Sequence, residues 1–418
     1  MLEQMNRRRF LEQGGRLLLG SVTSLAGTGA PAAAAMRSES MAQASHQSAR
    51  DAQGITLFLC GDVMTGRGID QILPHPGDPT LHEGYATSAL DYVRLAEQAN
   101  GPIPRPAAFD YVWGDALAEW ARIRPDVRIV NLETAVTARG DWQRGKGIHY
   151  RMHPANLPCL TTAGIDCCVL ANNHVLDWGY AGLAETLETL PRAGIHLAGA
   201  GRDQGEAAAP AVLTTARGRV GVFSLGMASS GIPPDWAAAP GRPGVNLLAD
   251  FSPTTLRRIA AQVKAVRRTG EVVVASIHWG GNWGYAVPEA HQAFARGLVD
   301  QCGVDVVHGH SSHHPLGIEV YRERPILYGC GDFLNDYEGI AGYEAYRSDL
   351  RLMYFLTLDP SSGKLVRLAM RPMQMRRFRL NRASAEDTRW LQERLDREGR
   401  RFGSRVEAEA DGALALRW

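Results

Sequence analysis

Five apolar runs in this chain stop abruptly at residues that bind metals or move protons, and that repetition restricts the fold more than any other feature. Ile55 to Cys60 runs into Gly61-Asp62, Val127 to Val130 into Asn131-Leu132-Glu133, and Cys167 to Leu170 into Asn172-Asn173-His174. Glu271 to Ile277 ends in His278, and Val304 to Val307 in His308-Gly309-His310-Ser311-Ser312-His313-His314. Short apolar runs rich in β-branched residues read as buried strands. The segments between them carry helical spacing, as where Leu183, Leu187 and Leu190 fall at i, i+4, i+7. Strands alternating with helices build an α/β sheet, and ligands of such sheets sit outside the carboxyl ends of the strands. All five polar stops lie at ends of that kind.

With 418 residues, 45% of them apolar, the chain can bury a large core in one big α/β domain or two. A net charge of +1 offers no basic footprint for nucleic acid. Residues 1–35 read as a twin-arginine signal peptide: Arg7-Arg8-Arg9-Phe10-Leu11, a short apolar run from Leu17, then Ala32 to Ala35 as a cleavage region. The expectation is a protein exported already folded to the periplasm, with no membrane-spanning segment once the signal is removed. Residues 36–53 read as a flexible linker, 54–380 as the main domain, and 381–418 as a helix and hairpin packed on it. The six cysteines show no CxxC spacing, and buried free thiols are expected.

Local signals fill in the elements. A Pro- and Gly-rich insertion over 74–106 holds a helix over Leu90 to Ala99, and Phe109 to Ala121 reads as one helix with Trp113, Leu117 and Trp120 on a face. Ser252-Pro253 opens a helix to about Arg268, and Ser384 caps another. Hairpins are expected at Arg217-Gly218, around Asp359 to Gly363, and at Asp411-Gly412. The arginine-dense stretch from Arg371 to Arg405 is either a patch for an anionic polymer or, with acids interleaved, a solvated face supporting a sheet.

Pooled from strand ends, Asp62, Glu133, Asn173, His278 and His310, then His313, are the carboxylate, amide and imidazole donors that suit Mn, Fe or Zn. Drawn from several strand ends, they leave the ion an open site with room for water and substrate. His174 is then a general acid toward a leaving group. His308 and Asp332, in YGCGDF, are expected behind the ligands. Arg67 and Arg151 are candidates to grip an anionic substrate, and Trp279 with Asn282 to wall its cleft.

GDVMTGRG, NLETAVT, ANNHVLDWG, HWGGNW, GHSSHH and GIEVY followed by PILYGCGDF resemble, in this order between Ile55 and Leu380, the motifs of the CapA family of poly-γ-glutamate capsule biosynthesis proteins. That family is similar in fold to the calcineurin-like metallophosphoesterases. The resemblance implies a four-layer α/β/β/α sandwich, here with a small C-terminal α+β extension. It also implies Asp62 as first carboxylate ligand, Glu133 in the bridging place, Asn173 as ligand and His174 as acid, with His278 and His310 as the following histidines. Two departures stand out: Met64 occupies the place of the superfamily's first-motif histidine, and the final motif is one residue longer, so the resemblance implies one divalent ion firmly held with a weaker second position. Two functions remain open. One is a metal-dependent hydrolase of a phosphoester or an anionic polymer; the other is a non-catalytic accessory that binds such a polymer alongside capsule synthesis or export machinery.

Overall fold

The computed structural model describes residues 54–418. The twin-arginine segment, residues 1–35, and the expected linker, residues 36–53, lie outside the described residues.

Two sheets pack face to face. The larger runs Arg405–Ala408, Leu414–Arg417, Leu365–Arg376, Leu350–Leu358, Ile55–Val63, Val127–Leu132, Cys167–Val169, His196–Ala198, with Asp332–Leu334 added beside Ile55–Val63 and Arg379–Arg382 beside Leu365–Arg376. The smaller runs Leu247–Leu248, Gly218–Met227, Glu271–His278, Val306–His310, Arg324–Leu327, Ile318–Tyr321, with Ala211–Thr215 on Gly218–Met227. The alternation of strand side chains decides what fills each layer. Along Glu271–His278, Val272 and Val274 join Leu57, Ile129 and Val306 between the sheets. Val273, Ala275 and Ile277 face the other way, onto Ile259, Phe294 and Leu298 of the helices Pro253–Val266 and Glu289–Cys302. On the far side of the larger sheet, Phe58, Val130 and Cys168 pack under Trp120, Leu183 and Leu187. The layers are therefore helix, sheet, sheet, helix. Each fully buried aliphatic side chain in them contributes about 1.5–3 kcal/mol.

Local rules account for most element ends. Ser252 accepts the Thr255 N–H and a proline follows it, so the helix Pro253–Val266 starts where a capped helix must. Phe109 to Ala121 is not one helix: a short 3-10 turn Tyr111–Trp113 is separated from the helix Ala116–Ile123 by Gly114. Gly114 adopts φ 44, and a Cβ there would lie 2.1 Å from the Leu380 carbonyl oxygen, so close packing against the strand Arg379–Arg382 breaks the helix. The C-terminal hairpin extends the larger sheet by pairing Leu414–Arg417 with Leu365–Arg376. The neighbouring arginines are spent on support, Arg371 on Glu119 and Asp411, Arg382 on Glu119, and Arg400 on Asp396. All six cysteines are free and buried. Among the described residues no helix is long and apolar enough to cross a membrane.

Ile55–Val63, Val127–Leu132 and Cys167–Val169 are parallel, as are Gly218–Met227, Glu271–His278 and Val306–His310, so each set ends on one side of its own sheet. The register of the first strand slips between Leu59 and Asp62. Without that slip, the alternation that turns Leu57 and Leu59 between the sheets would turn Asp62 away. Gly61 sits within it, and a Cβ there would fall 1.5 Å from the Gly331 carbonyl oxygen, which only glycine avoids.

Candidate metal centre

Strand register brings the donors together. Asp62 lies opposite Asn131 on one side and Asp332 on the other, and Asn131 Nδ2 donates to Asp62 Oδ1 at 2.8 Å. On the facing sheet His278 lies beside His310 on the neighbouring parallel strand, their Nδ1 atoms 2.8 Å apart. His278 Nε2 is 3.1 Å from Asn173 Oδ1 and 3.7 Å from Glu133 Oε1, while His310 Nδ1 is 3.8 Å from Asp62 Oδ1. Two groups of donors result. Asp62, His278 and His310 offer ligand atoms within 4.8 Å of one another, and so do Asp62, His313 and Asp332. Asp62 is common to both.

Behind these donors stand their supports. His308 bonds Ser276 Oγ at 3.0 Å, and Ser276 Oγ meets His310 Nε2 at 2.9 Å, so His308 acts through a hydroxyl. Asp332 holds His313 Nδ1 at 2.8 Å, as an outer carboxylate would, yet it also belongs to the second group, and Asn335 Nδ2 fixes its other oxygen at 2.6 Å. Met64 is buried with its sulfur 3.7 Å from the Tyr337 hydroxyl.

The electrostatics are unbalanced in a way that a cation relieves. Burial, then Asp332, pushes Asp62 up to about 7 against the pull of His313 and Asn131. Burial, then Asp62, raises Glu133 well above the usual carboxylate range. Burial and neighbouring rings hold His278 and His310 well below the usual histidine range. These imidazoles stay neutral, the state in which they ligate, and the crowded carboxylates resist ionising for want of the positive charge that a divalent ion would supply. Glu133 Oε2 is buried without a hydrogen-bond partner, an orphan of the kind an ion removes. The residues fit a divalent metal.

His174 sits beside them. Its Nε2 is 3.7 Å from Glu133 Oε1 and its Nδ1 2.6 Å from Asp177 Oδ2. Burial pulls the ring down to about 4, with Asp177 opposing and Lys146 adding to the effect. Such a ring is neutral at pH 7, so its expected role as a general acid requires that an anionic substrate bring or stabilise the proton.

Residues 56–337 match the model of the bacterial capsule synthesis protein (PGA_cap) family. The chain belongs to that family. A probable polyglutamine synthesis accessory protein of Mycobacterium tuberculosis is 50% identical over 364 residues, 87% of this chain and 96% of the relative. The PGA biosynthesis protein CapA of Bacillus subtilis is 26% identical over 304 residues, 72% of this chain and 68% of the relative. A crystal structure of a Mycoplasma pneumoniae phosphatase aligns with 77% of this chain and 94% of its own at TM-score 0.42 and 12% identity, and adds nothing to the family assignment.

In this capsule synthesis family member two expected substrate contacts are structural instead. Arg67 is buried, its Nε donating to Asp336 Oδ2 at 2.8 Å and its Nη1 to Glu83 Oε1 at 3.0 Å, with the guanidinium 3.6 Å above the Tyr92 ring. Its charge is consumed inside the protein. Arg67→Met should lower unfolding stability by about 3–5 kcal/mol, because two buried carboxylates lose their partner. Denaturant midpoints check this, and a loss under about 1 kcal/mol would show the network to be dispensable. Trp279 is 2% exposed, donates through Nε1 to the Tyr328 carbonyl at 3.0 Å and stacks on His291, so it is core beneath the outer helices. Continued alternation after the inward His278 requires this. Trp283, half-buried, is the tryptophan beside the site, 5.3 Å from the His313 ring. Asn282 is exposed and accepts the His313 N–H at 3.0 Å through its backbone carbonyl. Arg151 is half-buried, its guanidinium 4.4 Å over the Trp178 ring and bonded to the Asp78 carbonyl at 3.2 Å.

Two residues of the site carried no assigned role in the sequence reading. Asp177 stands three residues after His174, where one turn brings the side chains together, and that spacing was the available signal. Lys146 comes from a loop without strand or helix period, and only its place between Gly145 and Gly147 marks it.

Proposed function

We propose that this chain is an exported, metal-dependent hydrolase acting on a phosphoester or on an anionic polymer of the capsule type. The observation that carries this reading is the pair of donor groups sharing Asp62, with the Asp177-bound His174 at their edge. A divalent ion, Mn, Fe or Zn, in the first group would supply a Lewis acid that polarises a phosphoryl or acyl oxygen and acidifies water. Asp62, His278 and His310, with Glu133 and Asn173 alongside, would hold it. His313 and Asp332 form the weaker second position. His174 exchanges a proton with the reacting group. The twin-arginine pattern of Arg7-Arg8 supports export to the periplasm. A second reading, a polymer-binding accessory without cleavage, is favoured by Met64 in the place of a ligand histidine and by the accessory name of the mycobacterial relative.

Elemental analysis of protein purified without chelator, paired with assays on simple phosphoesters and on polyglutamate, tests the proposal. Bound divalent metal with turnover that chelation abolishes is the expected result. Metal-replete protein that cleaves none of these would leave the accessory reading standing.

A further inference from the structure

We propose that Lys146 is a positioning residue that locks the Asn173-His174 pair for proton transfer; the inference rests on the hydrolase reading. The loop that carries it is tied down close by. Gln143 N–H donates to the Asp177 carbonyl at 2.8 Å, His149 Nε2 meets the Gln143 carbonyl at 2.8 Å, and Trp142 stacks on His82 at 4.2 Å. From that anchored loop the Lys146 ammonium donates to the Asn173 carbonyl and to Asp177 Oδ1, and it lies 3.0 Å from His174 Nδ1, whose own N–H is taken by Asp177 Oδ2. An ammonium has three N–H donors and no acceptor, and these two bonds tie it to both ends of the Asn173-to-Asp177 turn. What it fixes is the dipeptide.

Through the carbonyl it holds the backbone of Asn173, whose Oδ1 faces His278 Nε2 at 3.1 Å. Through Asp177 it holds the carboxylate whose other oxygen meets His174 Nδ1 at 2.6 Å and the Tyr150 N–H at 2.7 Å. The imidazole is thus braced on its Nδ1 side, which leaves Nε2 turned toward Glu133 at 3.7 Å. Without the ammonium, Asp177 Oδ1 loses its partner and the Asn173 carbonyl loses its donor, so ring and amide are free to shift separately. A guanidinium is a bulkier planar fork and cannot bring one nitrogen to both the carbonyl and the carboxylate in the same space.

The test uses full-length, metal-replete protein with Lys146→Met, which keeps the stem and removes the donors, and Lys146→Gln as a second variant. Turnover of an alkyl phosphoester, whose leaving group must be protonated, is expected to fall about 10–100-fold, part of the usual effect of general acid–base catalysis. A p-nitrophenyl ester, whose leaving group needs no proton, should lose less than about 3-fold when both proteins are compared at matched metal loading, with KM unchanged and Lys146→Arg giving no rescue. Equal losses on both esters, or none, would overturn the proposal. If wild type cleaves neither ester, the hydrolase reading has failed on its own, and the positioning claim is then read by nitrogen NMR of the His174 ring. Shifted ring signals in Lys146→Met for His174 and for His278, which faces the Asn173 amide, with His291 and His314 unmoved, support it. Unmoved His174 signals sink it.

Discussion

Asp62→Asn is expected to weaken divalent metal binding by at least about 100-fold, since even partners behind a metal ligand are commonly worth about 10–100-fold. The expectation follows from the sharing of Asp62 between the two donor groups. His310→Ala removes a donor from the first group alone and His313→Ala from the second alone, so each should leave a part of the bound metal. Asp62→Asn removes a carboxylate from both and should leave least. Asparagine keeps the shape and one acceptor oxygen, which can take the Asn131 amide at 2.8 Å, while the longer Ser311 N–H bond to Asp62 Oδ2 at 3.2 Å is lost. The metal-free variant should also unfold no more easily than metal-free wild type. Burial and Asp332 together push Asp62 up to about 7, and a neutral side chain there relieves that crowding of acids. Elemental analysis after gel filtration, with calorimetric titration of Mn²⁺ or Zn²⁺, gives the answer. Wild-type metal content in Asp62→Asn would mean that neither group is the binding site.

How much of this centre the chain discloses unaided depends on whether a residue's neighbour is local or distant. Asp62, Glu133, Asn173, His278 and His310 were legible because each ends an apolar run, and parallel strands deliver their ends together whatever the loops do. The inward turn of His278 and His310 and the outward turn of Trp279 are likewise consequences of a two-residue period. A tryptophan beside His278 suggests a cleft wall, and only the strand period turns it into the core. Arg67 misled for a different cause. Its partner Asp336 is 269 residues away, and no pattern near Arg67 distinguishes a buried ion pair from an open anion contact. Asp332 occupies an intermediate case. It opens the short strand Asp332–Leu334 where the sequence suggests a strand end, and only its pairing opposite Asp62 reveals that it joins the second donor group. Gly114 shows the same limit in the fold, where helical spacing across Trp113, Leu117 and Trp120 is interrupted by a close approach to Leu380 from the other end of the chain.

His174→Ala is the substitution that separates a catalyst from a scaffold. Its ring lies 3.7 Å from Glu133 Oε1 and is bonded to Asp177, but Asn173 and His278 make the contacts among the donors, so the metal should remain nearly at the wild-type level. Turnover of an ester with a poor leaving group should fall by about 10²–10⁴-fold, the scale on which positioned proton transfer acts. The neutral resting ring adds a signature. Because burial holds His174 down to about 4, wild-type turnover should depend on the ionisation of the substrate more than on a histidine titrating near 6.5, and His174→Ala should lower turnover without changing the shape of that dependence. Loss of turnover together with loss of metal would instead make His174 a ligand and recast the centre. A third outcome is decisive in the other direction. If metal-replete wild type cleaves no phosphoester and no polyglutamate bond, and cells carrying His174→Ala still build a normal capsule, proton transfer at this site serves no reaction and the donors hold a polymer-binding surface in shape.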